Sequence, residues 1–64
     1  MKCWIARNKN NTLAIFQSKP YLNTIQVWDE HFNEDYMYIP EYLFPKVTFE
    51  NSPQEVELKL VNNE

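Results

Sequence analysis

The chain contains no glycine. Phosphate-cradling loops, dinucleotide-binding folds and the strained turn that carries a hydrolase nucleophile all place glycine where a side chain would clash, so those enzyme classes are excluded. Cysteine is nearly absent too. Cys3 stands alone, which rules out a disulfide within the chain and a zinc site built on cysteines. No apolar run is long enough for a signal peptide or a membrane span, and a lone thiol suits a reducing compartment; the sequence reads as soluble and cytoplasmic, with no membrane partner. Positive charge is sparse. Lys2, Arg7, Lys9, Lys19, Lys46 and Lys59 are scattered against nine acidic residues, for a net charge of −3. Nucleic-acid binding usually needs a clustered basic face to neutralise phosphates, so the charge argues against a DNA or RNA role.

What the chain does contain is aromatic surface and asparagine. Its 64 residues make one small domain, 1–64, with 62–64 read as a frayed tail. A chain of this size buries only about 60% of the surface its unfolded state exposes. Aromatics are 16% of the residues, and each carries a large area available for burial. They either compensate for the small core or leave a patch for a partner. Eight asparagines replace glycine at turns, because Asn tolerates positive φ better than other residues bearing a side chain.

Lys2 to Arg7 is rich in aromatic and β-branched residues and predicts a strand. Asn8 to Asn11 supplies turn chemistry, and Thr12 to Gln17 predicts the second strand of a hairpin. Neither strand has a clean polar face, so both sides should be covered, within the domain or by a second copy. This predicts a homodimer. Ser18-Lys19-Pro20 breaks the pattern, Thr24 to Trp28 predicts a third strand, and Tyr36 to Ile39 a fourth. Pro40 to Phe44 has the composition of one helical turn. The clearest alternation lies near the end of the chain, where Val47 and Phe49, then Val56, Leu58 and Leu60, occupy every second position. It predicts two strands joined through Asn51-Ser52-Pro53, with the alternating residues buried. Ser52-Pro53-Gln54-Glu55 also matches a helix capping box, but period two favours a strand. The fold class is therefore β-rich, all-β or α+β with at most one short helical turn, built on a small, mainly antiparallel sheet of four to six short strands.

Trp4-Ile5-Ala6-Arg7, Lys19-Pro20 and the block from Leu43 to Leu58 (Leu-Phe-Pro-Lys-Val-Thr-Phe-Glu-Asn-Ser-Pro-Gln-Glu-Val-Glu-Leu) resemble a family of small uncharacterised proteins of bacteria, phages and other mobile elements. Residues 21–38 lie outside the resemblance. It implies a mobile, accessory role and brings no activity or catalytic residue with it.

The acidic stretch Asp29 to Asp35 places Asp29, His31, Asn33 and Asp35 at alternate positions, as calcium loops do. Such a loop needs glycine sixth and glutamate twelfth, and here those places hold Glu34 and Pro40. No metal and no cofactor is expected. Cys3 sits in an apolar strand where a thiol behaves as an inert core residue, and one histidine is the only base near neutrality, so no catalytic set is assembled and the chain is read as no enzyme. Trp4, Trp28, Tyr36, Tyr38 and Tyr42 are the candidate partner-binding residues, since Trp and Tyr are enriched in binding hot spots. The expected function is non-catalytic: a phage or mobile-element factor that binds and modulates a host protein, such as a defence component. The alternative is an OB-like binder of single-stranded nucleic acid that stacks bases on the same rings.

Overall fold

The computed structural model describes residues 1–31 and 35–59. The predicted tail at 62–64, Leu60 and the loop residues Phe32, Asn33 and Glu34 lie outside this range. Among the described residues six strands form: β1 (Lys2–Arg7), β2 (Leu13–Phe16), β3 (Tyr21–Leu22), β4 (Trp28–Asp29), β5 (Tyr36–Ile39) and β6 (Gln54–Glu57). Four of them make one sheet in the order β5-β2-β1-β6, with every neighbouring pair antiparallel, while β3 and β4 form a separate two-stranded ribbon. The fold is all-β, and no helix occurs among the described residues. At Pro40–Leu43, where one helical turn was expected, the chain makes a single turn closed by Leu43 N–H donating to the Pro40 carbonyl at 3.1 Å.

The β1–β2 hairpin follows the sequence closely. Asn11 takes a φ of 78°, the left-handed conformation that asparagine accepts in place of glycine. The Asn11 amide donates to the Asn8 carbonyl and the Asn8 amide to the Thr12 carbonyl, both at 2.9 Å. Asn10 Oδ1 accepts from the Thr12 amide and hydroxyl.

Pairing places Cys3, Ile5 and Arg7 on one face of the sheet with Leu13, Ile15, Met37, Ile39 and Val56. Ile5 and Leu13 are almost fully buried there, packed with Val47 from the segment that follows β5. The opposite face carries Trp4, Ala6, Ala14, Phe16, Tyr36 and Tyr38, and Trp28 of the ribbon packs over its Ala6, Ala14 and Phe16. Apolar residues on both faces of β1 and β2 are thus covered in part from within the chain, by the ribbon on one side and the 40–53 segment on the other.

Two sequence expectations are corrected. Residues 46–50 are not a strand, and the hairpin predicted at the chain's end does not form; β6 instead pairs with β1, Cys3 opposite Val56. The cause is competition from side chains for the backbone. Asn51 Oδ1 takes the Thr48 amide at 2.7 Å, Asn51 Nδ2 donates to the Lys46 carbonyl at 2.9 Å, and Ser52 Oγ donates to the Thr48 carbonyl. Likewise only Trp28 of the third predicted strand is extended, in β4 with Asp29, because Asn23 Oδ1 accepts from the amides of Ile25 and Val27 and curls 23–27 into a loop. Ile25, in that loop, is 77% exposed.

One side chain organises the covered end of the sheet. Arg7 is 7% exposed, and its guanidinium donates to five backbone carbonyls: those of Val47, Asn11, Glu41, Leu43 and Phe44. Its own amide donates to Ser52 Oγ at 2.8 Å. Phe44, at φ 51°, is held in an uncommon conformation for a bulky residue by the Arg7 contact and by the Val47 amide, which donates to its carbonyl at 2.9 Å. The Trp4–Arg7 segment and the Leu43–Leu58 block are therefore one structural unit, with the second wrapped around the arginine of the first.

Candidate interaction surface

Four of the five candidate aromatics lie on one face of the sheet or against it, and the fifth does not. Trp4, Phe16 and Tyr36 form a row across β1, β2 and β5, and Ala6, Ala14 and Tyr38 form the next. Small alanines in the second row leave room for Trp28 to settle on the sheet. Phe16 and Tyr36 stack with centroids 5.3 Å apart, and Tyr38 meets Tyr36 edge-on at 5.7 Å. Tyr42 sits apart, 79% exposed in the turn near the Arg7 carbonyl cluster.

These residues divide by exposure. Trp4 and Trp28 are half-buried and serve packing, Trp4 beneath the Lys19 ammonium at 5.6 Å and Trp28 against Phe49 at 6.3 Å. Asn8 fixes the ribbon in place, since its buried Oδ1 accepts from the Trp28 amide at 2.9 Å. Tyr36 and Tyr38 are 43% and 57% exposed and present their rings to solvent. Tyr38 beside it is the main reason the Tyr36 phenol is pushed above its ordinary value, with burial adding to the effect and the Glu30 and Asp29 carboxylates contributing least. The Tyr36 hydroxyl therefore keeps its proton near pH 7. The pair offers hydroxyl donors on flat apolar bodies, the combination favoured at protein interfaces.

At the acidic edge of this surface Asp29 and Glu30 are shifted in opposite directions. Asp29 is held below the carboxylate range, first by a hydrogen bond from the Glu30 side chain and then by the Glu30 amide, which donates to its Oδ1 at 2.9 Å. Glu30 is raised by the same side-chain bond and by the negative charge of Asp29. Glu30 Oε2 is out of solvent and has no hydrogen-bond partner among the described residues. The signs are opposite. Asp29's contribution is present above its unfolded value near 3.8 and lost as pH falls through the lower folded value. Glu30's is present below its unfolded value near 4.5 and lost as pH rises through the higher folded one. Together they favour the folded state most at mildly acidic pH. Glu30→Gln, which keeps a donor at every pH, should flatten the alkaline side of this dependence, and carboxyl titration by NMR should show Asp29 still depressed. A normal Asp29 value in the wild type would contradict the pairing.

Sequence reasoning missed a third feature, the open end of the Cys3–Ile5–Arg7 face. A hollow of about 480 Å³ is lined there by Met1, Cys3, Ile15, Met37 and Leu58 among others. Leu58, expected to be buried, is 48% exposed beyond the end of β6, tied to Met1 by its amide donating to the Met1 carbonyl at 2.7 Å. Val56 is half-buried against the core as expected. A second hollow of about 470 Å³, beside Arg7, is polar, and the arginine donors facing it are already engaged by carbonyls. No group of acids, histidine or cysteine among the described residues has the arrangement of a metal site, and no helix there is long and apolar enough to cross a membrane. No family model, curated protein or solved structure matches the chain.

Proposed function

We propose that this protein is a non-catalytic interaction module that recognises another protein through the tyrosine face of its sheet, and that it also associates with itself. The observation that carries this reading is the exposed Tyr36–Tyr38 pair, set on β5 with Phe16 stacked against Tyr36. Rings held by packing lose little entropy on binding, which is what makes aromatic anchors effective. The acidic rim of Asp29 and Glu30 beside Tyr36 favours a protein with basic residues beside an apolar patch. The same rim repels phosphates. In keeping with the resemblance in the Trp4–Arg7 and Leu43–Leu58 blocks, the proposed setting is the cytoplasm of a bacterium, with the chain supplied by a phage or mobile element and acting on a host protein such as a defence component.

The test is capture from bacterial lysate by wild type and by the Tyr36→Ala/Tyr38→Ala double variant, with binding to oligothymidylate measured in parallel. Wild type should retain a protein that the double variant loses, while both ignore oligothymidylate at physiological salt. Because both side chains are substantially exposed, the variant should remain folded. Salt-sensitive binding of wild type to the oligonucleotide, abolished in the variant, would replace this reading with the single-strand binder that stacks bases on the same rings.

A further inference from the structure

We infer that the outer edge of β5 is the self-association surface, where two copies pair antiparallel about Met37 to join their sheets into one of eight strands. The inference rests on the self-association proposed above and adds its location and register. β5 lies at the edge of the sheet, paired with β2 on one side and with no strand on the other among the described residues. An open edge offers unpaired backbone donors and acceptors to any extended chain, and proteins that stay monomeric blunt such edges with charge, proline or a bulge. β5 has none of these devices within it: its sequence is Tyr36-Met37-Tyr38-Ile39, all uncharged. The opposite edge, β6, carries Glu55 and Glu57, which would face like charges in a second copy. One edge is therefore closed to self-pairing and the other open, so that pairing ends at two copies.

Symmetry and the absence of an amide on proline choose the register. Strands related by a two-fold axis through the sheet must oppose residues of the same face, so either Met37 or Tyr38 meets its own counterpart. Centring on Tyr38 would set Pro40 opposite Tyr36 and lose a backbone donor. Centring on Met37 pairs Tyr36 with Tyr38 of the other copy twice over, extending the ring contacts already formed by Phe16, Tyr36 and Tyr38. It also brings the two Met37 side chains, each 62% exposed, against one another beside the two apolar hollows.

Light scattering coupled to size exclusion at tens of micromolar should give twice the 7.8 kDa chain mass. Met37→Lys places like charges opposite each other at an exposed position and should raise the dissociation constant roughly tenfold or more. Glu55→Lys, on the other edge, should leave the mass unchanged. In a Cys3→Ala background, Met37→Cys should oxidise to a disulfide-linked dimer. Ile39→Cys should not, because its counterpart lies about four residues along the pair, roughly 13 Å away and beyond disulfide reach. A monomer with no cross-link would overturn both self-association and its location. A dimer that survives Met37→Lys, or that cross-links in the Ile39→Cys variant and not in the Met37→Cys variant, would leave self-association standing and overturn the β5 register; the cross-linking arm decides if the lysine variant fails to fold.

Discussion

Arg7→Ala will destabilise the fold by roughly 3–5 kcal/mol, because a buried acceptor left without its donor costs about 1–3 kcal/mol and several are left at once. A domain of this length has about 3–10 kcal/mol in total, so much of the population will be unfolded at room temperature. The effect is large because Arg7 is the common partner of five carbonyls that no ladder satisfies. Once it is gone, the carbonyls of Val47, Asn11, Glu41 and Leu43 must find water while that of Phe44 keeps only the Val47 amide, and the 40–53 segment loses the contact that seats Val47 on the core. Arg7→Lys will recover less than half of the loss. A lysine carries three donors on one atom and cannot span acceptors that surround a planar fork with five. Chemical denaturation of both variants measures this, and a lysine variant within about 0.5 kcal/mol of wild type would show that charge alone is what the site requires.

The second large effect is expected at Leu13, which has no exposed surface and packs among Ile5, Val47 and Ile39. Leu13→Ala will cost roughly 2–5 kcal/mol through lost burial and the cavity left behind. Leu58→Ala, which the alternating pattern alone would rank as comparable, will cost about 1 kcal/mol or less, because half of that side chain is already in solvent. The same denaturation series orders the two. A sensitive Leu58 beside a tolerant Leu13 would mean that the core lies at the other end of the sheet.

These two residues also mark what could and could not be read from the sequence. Leu13 belongs to a short run between asparagine-rich and serine-lysine-proline breaks, and local chemistry alone defines the β1–β2 hairpin, as it does Tyr36 to Ile39 before Pro40. Val47 and Phe49 alternate just as convincingly. There the backbone groups that a strand would need are taken by Arg7, Asn51 and Ser52, and period two says nothing about such competition. A signal was nonetheless present: an arginine on the same face as Ile5 in an otherwise apolar strand must find acceptors, and a Thr-Phe-Glu-Asn-Ser run can supply a side-chain-bonded turn. Strand partners were less legible still, because β6 meets β1 across nearly the whole chain and no local rule fixes that pairing. Among the candidate residues, aromatic type drew attention to Tyr36 and Tyr38, which lie exposed on β5. It could not separate them from Trp4 and Trp28, whose rings are spent on packing, or show that Tyr42 stands on a different part of the molecule.

Both the partner proposal and the self-association proposal converge on β5, one using the face of its tyrosines and the other its open edge. Occupation of the edge leaves the face accessible, so a dimer would present two tyrosine clusters side by side and strengthen binding to a repeated or dimeric target. Residue-resolved amide hydrogen exchange, compared between concentrated and dilute protein, tests the role of this strand most directly. Alternate amides of β5, those directed away from β2, should be protected in the concentrated sample and exchange rapidly in the dilute one, while β1, β2 and β6 are unchanged. Exchange along β5 that is independent of concentration, or concentration-dependent protection confined to β6, would contradict the assignment.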